Sequence, residues 1–351
     1  MEFKDLTLKE LTDIVAGLGK PVYTAKNIFK WIYKRGVNDF EQMSDVSKEL
    51  RSYLSKNYTL SGLKILEIEK AKDRCIKFLF ELNDKETIES VLIPKSDRVT
   101  VCVSTQVGCK MACAFCCTAL QGFKRNLKAS EIVDQVIAIN NYAKNELSYP
   151  TDDSGIRTVS NIVFMGMGEP MDNLEAVIKS IDILTDHNSL AFGTRKITVS
   201  TCGLIPEMFE FKKRSGVKLA ISLNAVDDNF RDEIMPVNKT YKINELIGSI
   251  KKLPLKSLEF ITIEYILFKG LNDSKTDAEK LAKLLKDLPI KLNLIPFNPH
   301  AAAPGFEAPS TKTLSDFYDY LTGQGVICNV RHSRGSDISA ACGQLRSKKQ
   351  K

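Results

Sequence analysis

Apolar positions recur along the chain with two different periods, and the places where the period changes divide it. Thr7-Leu8-Lys9-Glu10 is a capping-box pattern, and Leu8, Leu11, Ile14, Val15 and Leu18 follow at helical spacing until Gly17 and Gly19 close the run. A second helix is predicted over 24–35, with Ile28, Trp31 and Ile32 on one side and Lys26, Lys30 and Lys34 on another. A third, over 44–54, turns Val46, Leu50 and Leu54 inward. Residues 1–57 therefore read as a small helical unit. From Leu60 to Thr105 the period falls to two, through Leu63, Ile65 and Ile68, then 75–80, 87–93 and 99–103. Asn83-Asp84 and Ser96-Asp97 supply turns, so 58–98 is expected to be an antiparallel strand extension.

After Ser130 helices and strands alternate. Helices are predicted over 130–146, 173–186, 206–214, 243–253, 274–287 and 311–323, and strands over 159–165, 196–201, 217–223, 258–268, 291–296 and 326–331. With the strand at 99–104 this makes six or seven strand–helix units. Continuous apolar strands between helices imply a parallel sheet buried on both faces. The expected fold class is α/β: a partial (β/α) barrel over 99–345, preceded by the helical domain and the strand extension. Functional residues then belong on loops after the C-terminal ends of strands. The basic tail, 346–351, is expected to be disordered.

Composition narrows the setting more than the chemistry. The chain has 351 residues, 43% of them hydrophobic, and no run of membrane-spanning length. Met1-Glu2-Phe3-Lys4-Asp5 does not begin a signal peptide, so a cytoplasmic protein is expected. Nine cysteines without regular spacing favour metal or catalytic thiols over a disulfide framework. The net charge of +7 permits a polyanionic partner such as RNA without requiring one. Lys26, Lys30, Lys34 and Arg35 form either an RNA-gripping face or an ordinary solvated stripe.

The candidate chemistry starts at Cys109, Cys113 and Cys116, three thiols on one short loop directly after a predicted strand. Thiolates are the ligands that hold iron–sulfur clusters, and three of them leave one iron open. A zinc site would want a fourth Cys or His, and Cys117 points elsewhere because it directly follows a ligand. Met165-Gly166-Met167-Gly168-Glu169-Pro170 follows another apolar strand; its glycines let backbone approach a ligand, and Glu169 can accept from an ammonium or a ribose hydroxyl. Ser200, Ser222, Leu223, Asn224 and Asn298 lie at the C-terminal ends of later strands, where a cap or turn role is the plain alternative.

Cys109-x-x-x-Cys113-x-x-Cys116, with Phe115 before the last cysteine, resembles the signature of the radical S-adenosylmethionine (SAM) superfamily. That resemblance implies a 4Fe-4S cluster on the three cysteines, with SAM on its open iron cleaved to a 5'-deoxyadenosyl radical, and SAM-binding roles for Gly168, Glu169, Ser200, Ser222, Leu223, Asn224 and Asn298. Glu89-x-Val-x-Ile-Pro, Cys102-Val-Ser-x-Gln-x-Gly-Cys109, Gln121-Gly122-Phe123-x-Arg125-Asn126-Leu127, Asn293-Leu-Ile-Pro-x-Asn298-Pro and Ala341-Cys-Gly-Gln-Leu345 further resemble the RlmN family of adenosine methyltransferases, from about Leu8 to Leu345.

This second resemblance implies methylation of carbon 2 of adenosine in 23S rRNA (position 2503) and in tRNA (position 37), with two SAM molecules consumed per turnover. Cys342 would carry the carbon as S-methylcysteine, Cys102 would release the product through a transient disulfide with Cys342, and Glu89 matches the proposed proton acceptor. The helical domain would contact RNA, and charge around Lys124, Arg125 and Lys128 would help hold its backbone. An electron donor such as flavodoxin or ferredoxin would supply the cluster, and the protein would act as a monomer. Cys117, Cys202 and Asn224 depart from the family pattern, Asn224 standing where a histidine is usual. Two rivals remain: the related Cfr type, which methylates carbon 8, and a non-catalytic RNA-binding protein with a structural metal.

Overall fold

The computed structural model describes residues 1–147, 149–152 and 154–346. Three helices open the chain, α1 (Leu8–Gly17), α2 (Tyr23–Tyr33) and α3 (Lys48–Asn57). The Thr7 hydroxyl accepts from Glu10 N at 3.2 Å while the Glu10 carboxylate accepts from Thr7 N at 2.7 Å, completing the expected capping box. The third helix begins four residues later than its spacing predicts. Ser47 caps it by accepting from Leu50 N, and Val46 N closes a turn on Met43 O instead of joining the helix.

Strands β1 (Lys64–Lys70), β2 (Ile76–Glu81), β3 (Thr87–Pro94) and β4 (Val99–Cys102) then form the expected antiparallel meander. A short hairpin follows, β5 (Gln106–Gly108) with β6 (Phe123–Asn126), separated by α4 (Cys117–Leu120). From there α5 (Ala129–Glu146), β7 (Asn161–Phe164), α6 (Leu174–Thr185), β8 (Ile197–Thr201), α7 (Ile205–Arg214), β9 (Lys218–Ser222) and α8 (Asp228–Ile234) alternate. The chain continues through α9 (Ile243–Ile250), β10 (Ile261–Leu267), α10 (Lys275–Leu285), β11 (Ile290–Pro296), α11 (Thr311–Gly323) and β12 (Cys328–Val330). Of the predicted basic tail, 346–351, Arg346 is described and its N donates to Glu89, while residues 347–351 lie outside the described residues.

Ten strands make one mixed sheet in the order β1-β2-β3-β4-β7-β8-β9-β10-β11-β12, parallel from β4 onward. The meander and the barrel are thus a single sheet, and the outer strands β1 and β12 do not pair. The parallel part curls: Thr100, Asn161, Thr198, Lys218, Thr262, Asn293 and Asn329, one from each of its strands, surround a single cavity of about 770 Å³. The expectation of a parallel sheet buried on both faces therefore holds for the face covered by helices, while the other face lines this cavity.

The gap between β12 and the meander is spanned by irregular chain. After β12, residues 331–346 run back across β2 and β3: Arg334 donates to Asp73 and to the carbonyl of Pro94, Lys77 Nζ donates to Ile338 O at 2.7 Å, and Arg346 N donates to Glu89 at 2.9 Å. Gly335 makes the crossing possible. Its φ is +69°, and a Cβ there would stand 2.9 Å from Ala340 Cβ and 3.1 Å from Cys75 Cβ. This strap carries Cys342 inward.

The helical unit docks on the barrel through buried charge. Lys4 Nζ lies 2.6 Å from Asp134 on α5 and also donates to Ser61 O, and Asp5 accepts from Ser130 N at 2.9 Å. Burial still pushes the Asp134 carboxyl up to about 7 against the lowering effect of Lys4. Breaking such a pair strands a charge, whereas replacing both members removes it. Lys4→Met is expected to cost about 3–5 kcal/mol, and Lys4→Met/Asp134→Leu to recover most of that loss, as read from chemical denaturation midpoints. Equal losses in the two variants would show that the pair does not hold the unit in place. Among the described residues no helix is long and apolar enough to cross a membrane.

Candidate active site

The cysteine loop connects β5 to α4. Cys109 is buried, Cys113 and Cys116 are half-buried, and Cys116 N donates to Cys113 O at 3.1 Å. Met111 and Phe115 pack with Phe268 and Phe297 beside it, so the thiols face a largely apolar wall. Burial pushes the Cys109 thiol up to about 12 and Cys113 well above its ordinary value, with the neighbouring thiols and Glu169 adding to both shifts. Ionising thiols in such a place calls for a group that brings positive charge, as a metal centre does. Among the described residues no three His, Cys, Asp or Glu side chains form a group suited to one metal ion. In a 4Fe-4S cluster each cysteine takes a different iron, so its ligands do not need to meet at a point.

The glycine motif after β7 has a structural role on the cysteine side of the site. A Cβ on Gly168, whose φ is +99°, would stand 2.6 Å from Gln106 Cβ, and one on Gly166 would stand 2.7 Å from Val103 O. Met167 O accepts from both Thr105 N and Gln106 N, so the glycines let this loop seat directly on the chain entering the cysteine loop. Glu169 is buried, its carboxylate accepting from Met171 N at 3.0 Å and Cys202 N at 2.9 Å; burial raises its pKa against these bonds. Gly168→Ala combines a left-handed backbone with a collision. It is expected to cost more than about 2 kcal/mol, measured by denaturant titration, and a loss under about 0.5 kcal/mol would contradict the contact.

Cys102, at the end of β4, and Cys342, on the strap, line the same cavity. Cys342 is exposed to that cavity, whereas Cys102 is buried. Burial and the nearby Cys342 push the Cys102 thiol up to about 12; burial also raises Cys342, while the Arg331 guanidinium opposes the rise. Asn298 reaches the same turn, donating to Cys342 O at 3.4 Å. Glu89 lies in the interior. It is 1% exposed, on the inward face of β3, 3.4 Å from Lys77 Nζ and bonded to Arg346 N.

Ser200 and Ser222 sit at the ends of β8 and β9 on the cavity face, and the Ser200 hydroxyl donates to Glu264 on β10 at 2.9 Å. Leu223 and Asn224 are buried behind them. Asn224 has φ +58°, and its side-chain oxygen accepts from Ile266 N at 2.9 Å, so the amide ties β9 to β10. A left-handed backbone is one that asparagine tolerates well.

Sequence reasoning missed three residues. Glu264 binds both Ser200 and Arg331, the latter at 3.3 Å. Arg331 faces both thiols of the cavity. Arg231 is 1% exposed and donates to Leu223 O, Ser222 O, Cys202 O and Asn238 Oδ1. A charged residue inside the apolar run Ile261–Leu267 is the one signal that could have marked Glu264. Conversely, two cations expected to face RNA are paired internally, Lys124 with Glu86 at 2.5 Å and Arg125 with Asp84 at 2.6 Å and Glu131 at 2.8 Å.

Comparison with known proteins agrees with this geometry. Residues 1–60 match the ribosomal RNA large subunit methyltransferase N-terminal domain, and residues 103–285 match the radical SAM superfamily. The chain is 45% identical over 348 residues to a dual-specificity RNA methyltransferase RlmN from Geotalea uraniireducens, covering 99% of this chain and 97% of that one. It is 44% identical over 346 residues to the protein of the same description from Desulfotalea psychrophila, covering 98% and 94%. A crystal structure of a radical SAM methyltransferase from Sphaerobacter thermophilus superposes with a TM-score of 0.89 at 43% identity, covering 99% of both chains. With a matching N-terminal domain, a matching cluster domain and relatives alike along nearly its whole length, this chain belongs to the RlmN family of radical SAM RNA methyltransferases.

Proposed function

We propose that this protein methylates carbon 2 of adenosine in 23S rRNA and in tRNA, with Cys342 carrying the transferred carbon and Cys102 releasing the product. The observation that carries the reading is that these two thiols, at opposite ends of the barrel sequence, line one cavity whose far wall is closed by the strap. Bound on Cys109, Cys113 and Cys116, a 4Fe-4S cluster with SAM supplies the radical chemistry that an unreactive ring carbon demands. The protein's part is placement. The strap holds Cys342 over the cavity, Arg331 lends positive charge to whichever thiol ionises, and Glu89, buried on the same inward face, is assigned the proton leaving the ring.

Gly168, Glu169, Ser200, Ser222, Leu223, Asn224 and Asn298 are assigned to SAM, with Ser200 and Ser222 on the cavity face and the others shaping the loops around it. Residues 1–57 form the RNA-contacting domain, where Lys26 and Lys30 are exposed and Arg35 lies 3.8 Å over the Trp31 ring. The strand extension, 58–98, joins it to the barrel, 99–345. The reaction needs two SAM molecules and an electron donor of the flavodoxin or ferredoxin kind, and the protein works as a cytoplasmic monomer.

The deciding experiment incubates anaerobically reconstituted protein, expected to hold about four irons per chain, with SAM, a reductant and 23S rRNA or tRNA, and maps the methylated base by mass spectrometry. Methyl on carbon 2 supports the proposal. Methyl on carbon 8 would assign the Cfr-type reaction instead, and a colourless protein that methylates nothing would leave a structural-metal RNA binder.

A further inference from the structure

Residues 117–123 run from the cysteine loop to β6 and present two apolar side chains to solvent, Leu120 at 59% and Phe123 at 39% exposure. Single exposed apolar residues are ordinary on a surface. These two stand on a tip that is held firmly from both sides. On one side Cys109 N donates to Gly122 O at 3.1 Å, and a Cβ on Gly108 would lie only 1.7 Å from that oxygen. On the other, Cys117 N donates to Gly343 O and Thr118 Oγ1 to Leu345 O, each at 2.7 Å. The tip is therefore pinned between the first cysteine of the loop and the strap, whose Cys342 and Leu345 line the cavity. Lys110 Nζ lies 5.6 Å from the centre of the Phe123 ring, so a cation accompanies the exposed aromatic.

An adenine carbon inside a base stack is out of reach, and an enzyme acting on it must turn the nucleotide out, leaving a gap that favours its return. Apolar side chains inserted between base steps fill such gaps. We propose that Leu120 and Phe123 form a wedge that enters the RNA stack and occupies the space left by the adenosine turned into the cavity. The inference rests on the methylation of RNA adenosine argued above. An aromatic wedge stacks on any base and reads no sequence, which suits one site acting on two different RNAs.

The test uses full-length reconstituted protein and a hairpin RNA carrying 2-aminopurine at the target position, whose fluorescence rises when the base leaves the stack. Wild-type protein is expected to raise it several-fold at saturation. Leu120→Ala/Phe123→Ala should keep the melting temperature and bind the hairpin within about threefold of wild type, yet lose about tenfold of the rise; Phe123→Trp should retain it. If the double variant melts lower, Leu120→Gln and Phe123→Ala are read singly in the same way. A double variant that raises the fluorescence as far as wild type overturns the wedge while leaving the methylation reading intact. Wild-type protein that binds the hairpin without any rise also overturns the wedge; the methylation reading is decided separately, by the methylated base that mass spectrometry maps.

Discussion

Cys102→Ala is expected to trap the RNA as a covalent adduct on Cys342 and to end turnover. Once the carbon on Cys342 has bonded to the ring, release requires a nucleophile that attacks the Cys342 sulfur, forming a sulfur–sulfur bond as the sulfur–carbon bond breaks. Among the residues lining the cavity, Cys102 is the other thiol. The thiolate is the attacking form, and burial pushes this thiol up to about 12. A raised thiol pKa means a small thiolate fraction at neutral pH that grows about tenfold per pH unit until the pKa is reached. In RNA-free wild-type protein, iodoacetamide labelling of Cys102 should therefore climb steeply between about pH 7 and 9, and Arg331→Gln should lower it throughout, because the guanidinium is the one cation that opposes the shift. A denaturing gel of the Cys102→Ala reaction, followed by nuclease trimming and peptide mass mapping, checks the adduct. Free methylated RNA with normal turnover would remove Cys102 from its role.

The second large effect is structural. Arg231→Leu is expected to lose about 3–5 kcal/mol of stability, because a buried guanidinium there serves four acceptors at once. Its Nε donates to Leu223 O at 2.8 Å, Nη2 to Ser222 O and Cys202 O at 3.0 Å, and Nη1 to Asn238 Oδ1 at 2.9 Å. It thereby joins the ends of β8 and β9 to the chain after α8, on the side where Cys202 N holds Glu169. Lysine keeps the charge but not the fork, so Arg231→Lys should restore only part of the loss. Denaturant midpoints at unchanged m-value measure stability, and iron per chain after reconstitution measures whether the cysteine loop is still formed. A loss below about 1 kcal/mol with full iron content would mean that the carbonyls find other donors.

Where the sequence was read correctly, the signal was local. The capping box at Thr7, the change of period near Leu60 and the strand–helix alternation after Ser130 depend on neighbours a few residues apart, and each reappears within a residue or three of its expected position. Three elements escaped: α4, the β5–β6 hairpin and α8. All are short and without apolar periodicity, and α4 is anchored by distant chain, Cys117 on Gly343 and Thr118 on Leu345. The cysteine spacing was legible for the same local reason, since three ligands on one loop need no fold to bring them near each other.

The amino-acid sequence by itself determined the type and order of most elements, the cysteine loop, and, through resemblance, the identity of the two further thiols. Only the tertiary structure decided what faces what. It placed Glu89 in the interior, engaged Gly166 and Gly168 against the chain at Val103–Gln106, paired Arg125 with acids, and brought Arg331 and Glu264 to the thiols. It also closed the sheet with an irregular strap in place of a strand. The physical reason is one of range: periodicity and caps are set by interactions within a turn or two, whereas a cavity is set by the packing of residues far apart, to which no local pattern has access.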